Sequence, residues 1–377
     1  MDFLSGVGGY LIPFLIVLTV LVFVHEMGHY LVARRNGVRV ETFSIGFGPE
    51  LFGRTDKAGT RWKFSLVPLG GYVKMFGDVN AASMPDSAAS DMPDEDRAVA
   101  FQFKPLRART WIVAAGPLAN FLFAIVLLAG LFGVVGQPFT PAVVGQVQPE
   151  SAAEEAGIRP GDRFVAIDGT TIERFEDVQR IVRLNPGEEL AITVERDGER
   201  VRLTAVPQRT ELEDSFGTRQ EIGLLGVTRE GIEYRRHDPL TAVWRASEET
   251  VALTAGTLKA VGQIIVGSRS SEELGGPIRI AQMSGQVAET GVVSLIWFMA
   301  VLSINLGLVN LFPIPMLDGG HLLFYAIEGV IGRPLGERAQ EYGFRIGLAL
   351  VLTLMLFVTW NDLVQLRVVA FFKDLVT

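Results

Sequence analysis

The 377-residue chain reads as a polytopic α-helical membrane protein with about four transmembrane helices, a membrane-associated β-rich loop and one inserted α+β module. Three observations predict this architecture. Long apolar runs with almost no charge recur four times along the chain. Hydrophobic residues make up 49% of it against 20% charged, with a mean hydropathy of +0.32. Between the runs the pattern changes to period-two alternation punctuated by Gly and Pro, the mark of short strands and turns. This composition excludes an ordinary soluble enzyme. A net charge of −8 with no Lys/Arg-rich stretch excludes a nucleic-acid partner. With zero cysteines there are neither disulfides nor thiolate ligands, so a metal site must be built from His and carboxylate.

The first element, residues 1–35, contains LIPFLIVLTVLVFV (Leu11 to Val24) and stays apolar through Ala33. That is enough to cross a hydrocarbon core of roughly 30 Å, which takes about 20 residues. Asp2 and the lack of Lys or Arg before the run, with no A-x-A-like cleavage site after it, predict an uncleaved span rather than a signal peptide. Yet the run continues into HEMGH. On a helix His25 and His29 share one face, with Glu26 beside them. Two neutral imidazoles can hold a zinc ion while the carboxylate removes a proton from the attacking water, so His25 and His29 are candidate ligands and Glu26 the candidate base. Ionisable groups inside a span are rare and usually functional.

Residues 36–110 follow as a β-rich loop ending in an acidic linker. VETFSIGFGPELF and RWKFSLVPLGGYVKMFG are strand-like, and their apolar character suits a loop dipping into the membrane portion. A strand edge around Gly71 to Lys74 could pair with an unwound substrate, which makes Gly70, Gly71 and Tyr72 candidate contacts; a sheet that only packs is the equal alternative. Residues 78–97, rich in Ala, Ser, Pro and Asp, have the composition of a mobile linker. The second span, within 111–136, includes GPLAN, whose Gly116, Ala119 and Asn120 suit close helix packing and one polar contact.

Residues 137–208 form the inserted module, with a helix expected near Glu176 to Arg183 and a hairpin turn at Asp197-Gly198. Its AGIRPGDRFVAIDG resembles a stretch of a PDZ domain, which implies a site for an extended peptide or chain terminus; a lid or spacer without ligand is the alternative. In the 209–291 region, Trp244, Val251, Leu258 and Ile265 recur every seventh residue, predicting a helix with one apolar face. Residues 292–377 carry spans three (Val292 to Phe312) and four (Phe344 to Trp360) and a C-terminal tail. Arg34, Arg35, Arg39, Lys104, Arg107 and Arg109 place the 34–110 loop in the cytoplasm, hence both termini and the module outside. His25 then lies about 20 Å along its span, nearer the cytoplasmic face.

A catalytic zinc usually has three protein ligands. The candidates for the third are Asp318, His321 and His237, and NLFPIPMLDGGHLL places the first two on irregular chain broken by Pro313 and Pro315. Asn310, Pro313 and Pro315 are also candidate clamps for an extended substrate. Together HEMGH, GPLAN and N-x-x-P-x-P-x-L-D-G-G-H resemble the site-2 protease (M50) family, of the bacterial regulator-of-sigma-E protease type, as do FSIGFGPEL, LVPLGGYVKM and LGGPIRIA. That resemblance implies an intramembrane Zn2+ protease of the bacterial inner membrane with Asp318 as third ligand. It further implies single-span transmembrane substrates trimmed outside beforehand, such as anti-sigma factors, and remnant signal peptides. The sequence departs from the best-known members in having room for one PDZ-like module rather than two. A catalytically inactive membrane adaptor with a structural zinc site is the rival reading, against which Glu26 speaks; a metal transporter is a third, with too few intramembrane polar residues.

Overall fold

The computed structural model describes residues 2–77, 92–213, 219–231, 233–267 and 275–365, and the chain divides into two compact units. The first comprises Met1–Gly130, Val243–Val261 and Ser271–Thr377; the second comprises Leu131–Ala242 and Gly262–Ser270.

The first unit begins with α1 (Asp2–Arg35), a hairpin of β1 (Val40–Thr55) and β2 (Arg61–Met75), the short α2 (Asp94–Val99) and most of α3 (Leu106–Val134). Among the described residues, four helices are long and apolar enough to cross a membrane: Gly9–Arg35, Leu106–Val134, Val292–Asn310 and Arg338–Val364. The first, second and fourth start before their expected apolar runs, whereas the third stops at Asn310, two residues short of the expected Phe312. Helical hydrogen bonding continues past the hydrophobic stretch, as at the start of α3, where Arg107 and Arg109 join the first turn. Leu122 and Val126 on α3, like many apolar side chains near the C-terminal end of the chain, stay exposed in the isolated protein, a surface that suits lipid rather than water.

The hairpin is bent so that two strands supply four paired segments. Residues 42–45 pair on one side with 71–74 and on the other with 61–64, and 61–64 pair again with 52–55. Reversal at the bends requires backbone that L side chains avoid, and Gly46 (φ 90°) and Gly70 (φ 145°) stand there. Residues 71–75 are thereby an outer segment of this sheet. Beneath it Phe43, 1% exposed, stacks on Trp62 at 4.4 Å and meets Tyr30 of α1 edge-on, in a core shared with Val38, Val73 and Ile112. Of the acidic stretch expected as linker, 78–91 lies outside the described residues. Residues 94–97 are not linker: three acidic side chains at the start of α2 favour the positive helix end.

Helices α6 (Pro239–Ile265), α7 (Pro277–Thr290), α8 (Val292–Asn310), α9 (Asp318–Ile331) and α10 (Glu337–Gln365) follow the inserted module. Asp238 caps α6 by accepting from the Leu240 and Thr241 amides, and Trp244, Val251, Leu258 and Ile265 are all exposed along it, as their spacing implies. Asp362 of α10, 2% exposed, accepts from the amides of Gly276 (2.8 Å), Ile278 and Arg279 (both 3.1 Å). The first turn of α7, which packs on α1, thus has its free N–H groups satisfied by a neighbouring helix.

In the second unit, β5 (Arg163–Ile167), β6 (Thr170–Thr171), β7 (Leu190–Arg196) and β8 (Glu199–Ala205) form an antiparallel sheet in the order β6-β5-β7-β8. The expected turn joins β7 to β8, with Asp197 (φ 53°) and Gly198 (φ 84°) both left-handed. Helix α5 (Phe175–Leu184) buries Phe175, Val178 and Val182 against Phe164, Ile167, Leu190 and Ile192. The structure corrects the expected end of the module at residue 208. Leu225 belongs to this core, and β11 (Val227–Arg229) pairs with β4 (Val144–Val147) across some eighty residues of sequence.

One ion pair locks this unit internally. Arg196 donates through Nε and Nη2 to both oxygens of Asp162, at 2.8 and 2.7 Å, while the Arg159 amide donates at 2.8 Å. Burial pushes the Asp162 carboxyl up, but the guanidinium fork and the amide outweigh it and hold the carboxyl below its usual range. The stabilisation is therefore complete above the ordinary Asp pKa of about 3.9 and is lost as pH falls through the lower folded value. Asp162→Asn is expected to destabilise the unit by about 1–3 kcal/mol at pH 7, the deficit shrinking below about pH 4. Equilibration in denaturant at each pH, then fixed-pH pulse labelling of β5 and β7 amides, checks this.

Candidate metal centre

Helix periodicity carries His25 and His29 to one face of α1, and both are buried at 8% exposure. Their Nε2 atoms stand 3.2 Å apart. Asp318 approaches from the opposite end of the sequence, its Oδ2 3.1 Å from His25 Nε2 and 3.5 Å from His29 Nε2. Among the described residues, these three side chains form the one group of three or more His, Asp or Glu able to hold a metal ion. The structure corrects the expectation that Asp318 lies on irregular chain. It is the first residue of α9, where the helix dipole favours a negative charge, and residues 311–317 before it are the irregular segment. Gly319 and Gly320 let that segment fold back on the helix start: a Cβ at either would collide with the carbonyls of Leu311, Phe312 or Ile314.

The three nitrogen and oxygen atoms fit zinc. Four tetrahedral ligands at ~2.0–2.2 Å from zinc stand roughly 3.3–3.5 Å from one another, which the observed triangle approximates. His29 Nδ1 lies 2.9 Å from the Ile112 carbonyl, which can only accept, so the ring proton sits on Nδ1 and Nε2 presents a lone pair. Asp318 Oδ2 is buried with no hydrogen-bond donor. Lone pairs converging in a buried site without a proton between them call for a cation.

Helix α3 closes the site from behind. At Gly28 of α1 a Cβ would strike the Ala115 carbonyl, and at Gly116 it would strike the His29 ring, so the two helices meet through missing side chains. In front lies a cavity of about 190 Å³ lined by His25, Glu26, His29, Gly71, Tyr72, Asn310, Asp318 and His321, among others. The Val73 amide of the outer β2 segment donates to the Glu26 carboxylate, and a Cβ on Gly71 would press on Val22 and Glu26. Of the candidate substrate contacts, Gly71, Tyr72 and Asn310 therefore line the same cavity as Glu26. Gly70 stands at the bend against Phe47, and Pro315 packs against Gly347 of α10. Pro313 is not among the residues lining the cavity. Met316 and Leu317 line it without having been singled out in the sequence; Met316 carries a strained φ of 90°. His321 keeps its ring toward Phe344 and Tyr325. His237 belongs to the second unit, where its Nε2 faces Gln137 Oε1 at 3.1 Å.

Membrane-spanning helices around two histidines, an aspartate and a glutamate outside that ligand group define a membrane metallohydrolase. Comparison with known proteins gives the class its family: the profile of peptidase family M50 matches residues 13–354, and the chain belongs to that family. A protein of Agrobacterium fabrum named "Putative zinc metalloprotease" is 51% identical over 95% of this chain and 96% of its own. A Rhizobium meliloti protein with the same description is 50% identical over 94% and 96%. Metalloprotease MmpA of Caulobacter vibrioides is 40% identical over 97% and 98%. A solved PDZ domain from Listeria monocytogenes covers 24% of this chain at 17% identity and a TM-score of 0.19. The protein is a zinc metalloendopeptidase of the site-2 protease type.

Gly116→Val is expected to force the α1–α3 crossing apart, lowering zinc affinity by about 5–150-fold if the overpacking penalty of about 1–3 kcal/mol falls on the metal-bound arrangement. Metal analysis of purified protein with helical content measured in parallel checks it; full zinc in a folded variant would contradict the crossing geometry.

Proposed function

We propose that the chain cleaves transmembrane segments of single-span membrane proteins inside the bilayer, with His25, His29 and Asp318 as zinc ligands and Glu26 as general base and acid. One observation carries this reading: the three converging lone pairs share a cavity with a carboxylate that none of them uses. Bound zinc supplies Lewis acidity for the scissile carbonyl and lowers the pKa of the attacking water. Glu26 takes the proton from that water and hands it to the leaving amine. Its other neighbour, the Val73 amide, keeps the carboxylate turned into the cavity.

A helical substrate hides its peptide bonds in its own hydrogen bonds, so the segment to be cut must be drawn out first. The outer segment of β2, with Gly71 and Tyr72 beside Glu26, supports capture of the extended form by strand addition, with Asn310 across the cavity. Gly70, Pro313 and Pro315 act in this reading by shaping the two walls. The distribution of Arg and Lys supports a cytoplasmic-side active site in the bacterial inner membrane, with both termini and the PDZ-like module outside. The module then meets the outer part of a substrate, as a peptide, a chain terminus or simply bulk to be excluded. Anti-sigma factors trimmed beforehand, and remnant signal peptides, are substrates of this kind.

With a model transmembrane substrate in detergent or vesicles, Glu26→Gln is expected to lose at least about 100-fold in cleavage rate while retaining zinc. Asp318→Ala is expected to lose zinc and cleavage together. Cleavage by Glu26→Gln at the wild-type rate, or absence of cleavage by the zinc-loaded wild type, sinks the protease reading; membrane peptides that accumulate in cells carrying Glu26→Gln identify the substrate.

A further inference from the structure

Both imidazoles at the centre have their second nitrogen turned toward α3. His29 Nδ1 reaches the Ile112 carbonyl at 2.9 Å, and two turns further along the same helix the Asn120 side-chain amide lies 3.1 Å from His25 Nδ1. Asn120 is fully buried, at 0% exposure. Its surroundings hold it in place: Ser303 of α8 donates to its backbone carbonyl at 2.8 Å, and Gly307 packs so closely that a Cβ there would stand 3.1 Å from the Phe121 ring and 3.3 Å from the Asn120 Cβ. The amide nitrogen faces His25, and Oδ1 is left buried with no hydrogen-bond partner. An unpaired buried carbonyl is costly, and nitrogen and oxygen of an amide exchange places by a half-turn about χ2.

Which of the two faces His25 follows from the chemistry at the other end of the ring. His25 Nε2 is the atom that converges with His29 Nε2 and Asp318 Oδ2, so it must offer a lone pair, and in a neutral imidazole the proton then sits on Nδ1. A protonated Nδ1 needs an acceptor, and the Asn120 amide is the group within reach. We propose that Asn120 is a positioning residue for the metal: its Oδ1 accepts from His25 Nδ1–H, fixing the tautomer and ring orientation that let His25 bind zinc through Nε2. Helix α3 then serves both ligand histidines alike, with a backbone carbonyl for one and a side-chain carbonyl for the other. Residues that play this part elsewhere change metal affinity by about 10–100-fold when replaced.

The inference rests on His25, His29 and Asp318 being the ligands, and the test separates the two claims. Zinc content and competition with a chromophoric chelator are measured on full-length protein in detergent, for wild type, His25→Ala, Asn120→Leu and Asn120→Asp, with helical content recorded for each. Asn120→Leu, near in volume but without an acceptor, is expected to weaken zinc at least about tenfold. Asn120→Asp, whose carboxylate can accept from the same Nδ1–H, is expected to hold zinc as tightly as wild type or more so. Wild-type affinity in a folded Asn120→Leu overturns the proposal, and so does equal loss in both variants with helical content intact. Should Asn120→Leu fail to fold, Asn120→Asp decides alone, since weaker zinc in that folded variant contradicts an acceptor role. If His25→Ala keeps zinc at wild-type affinity, the ligand assignment itself is wrong.

Discussion

Three lone pairs aimed at one point inside an apolar protein set the terms for the rest of this structure. Placed there alone, His25 Nε2, His29 Nε2 and Asp318 Oδ2 would repel one another and lack donors, an arrangement that a divalent cation reconciles. Everything nearby serves that convergence. Helix α1 supplies two ligands through its own periodicity. Helix α3 supplies acceptors for the far side of the rings and, through glycine and alanine, the closeness that brings those acceptors within reach. The break between α8 and α9 delivers the carboxylate at a helix N-terminus, where its charge is favoured.

What could be read from the sequence depended on how local each feature is. The HEMGH pair was legible because i and i+4 meet on any helix, whatever surrounds them. The four spans were legible because lipid demands length and apolarity, which are additive along the chain. The Asp197-Gly198 turn was legible because left-handed backbone selects its residues. The third ligand was different: Asp318, His321 and His237 are equivalent to pattern reasoning, and only resemblance to a family chose among them. Nothing in the few residues around Asp318 encodes a partner nearly three hundred positions away.

The misread elements fail for the same reason. Local pattern ends the inserted module at residue 208, yet β11 pairs with β4 and Leu225 fills the core, contacts that no local pattern announces. Residues 94–97 have a linker's composition, but in a short helix their acidic side chains become favourable first-turn charges. In the sequence Asn120 stands out only as a polar residue among packing residues. Its burial and its distance from His25 belong to the tertiary fold, although the amide in an otherwise apolar GPLAN was the visible sign.

The glycines near the centre show the same logic in another form. At Gly28, Gly71, Gly116, Gly319 and Gly320 a single added carbon would strike a neighbouring backbone or a side chain of the site. Glycine inside a helix or strand is destabilising by roughly 0.5–1 kcal/mol relative to alanine, so this concentration works against local stability. It makes sense only if close approach matters more than the intrinsic preference of each element. A metal held by side chains with short reach needs backbones nearer than ordinary packing allows, and the strand capture proposed beside Glu26 needs the edge of β2 to touch α1. Helix and sheet propensity are given up where the chemistry happens, and the long apolar helices around it, secured by lipid and by their internal hydrogen bonds, can bear that loss.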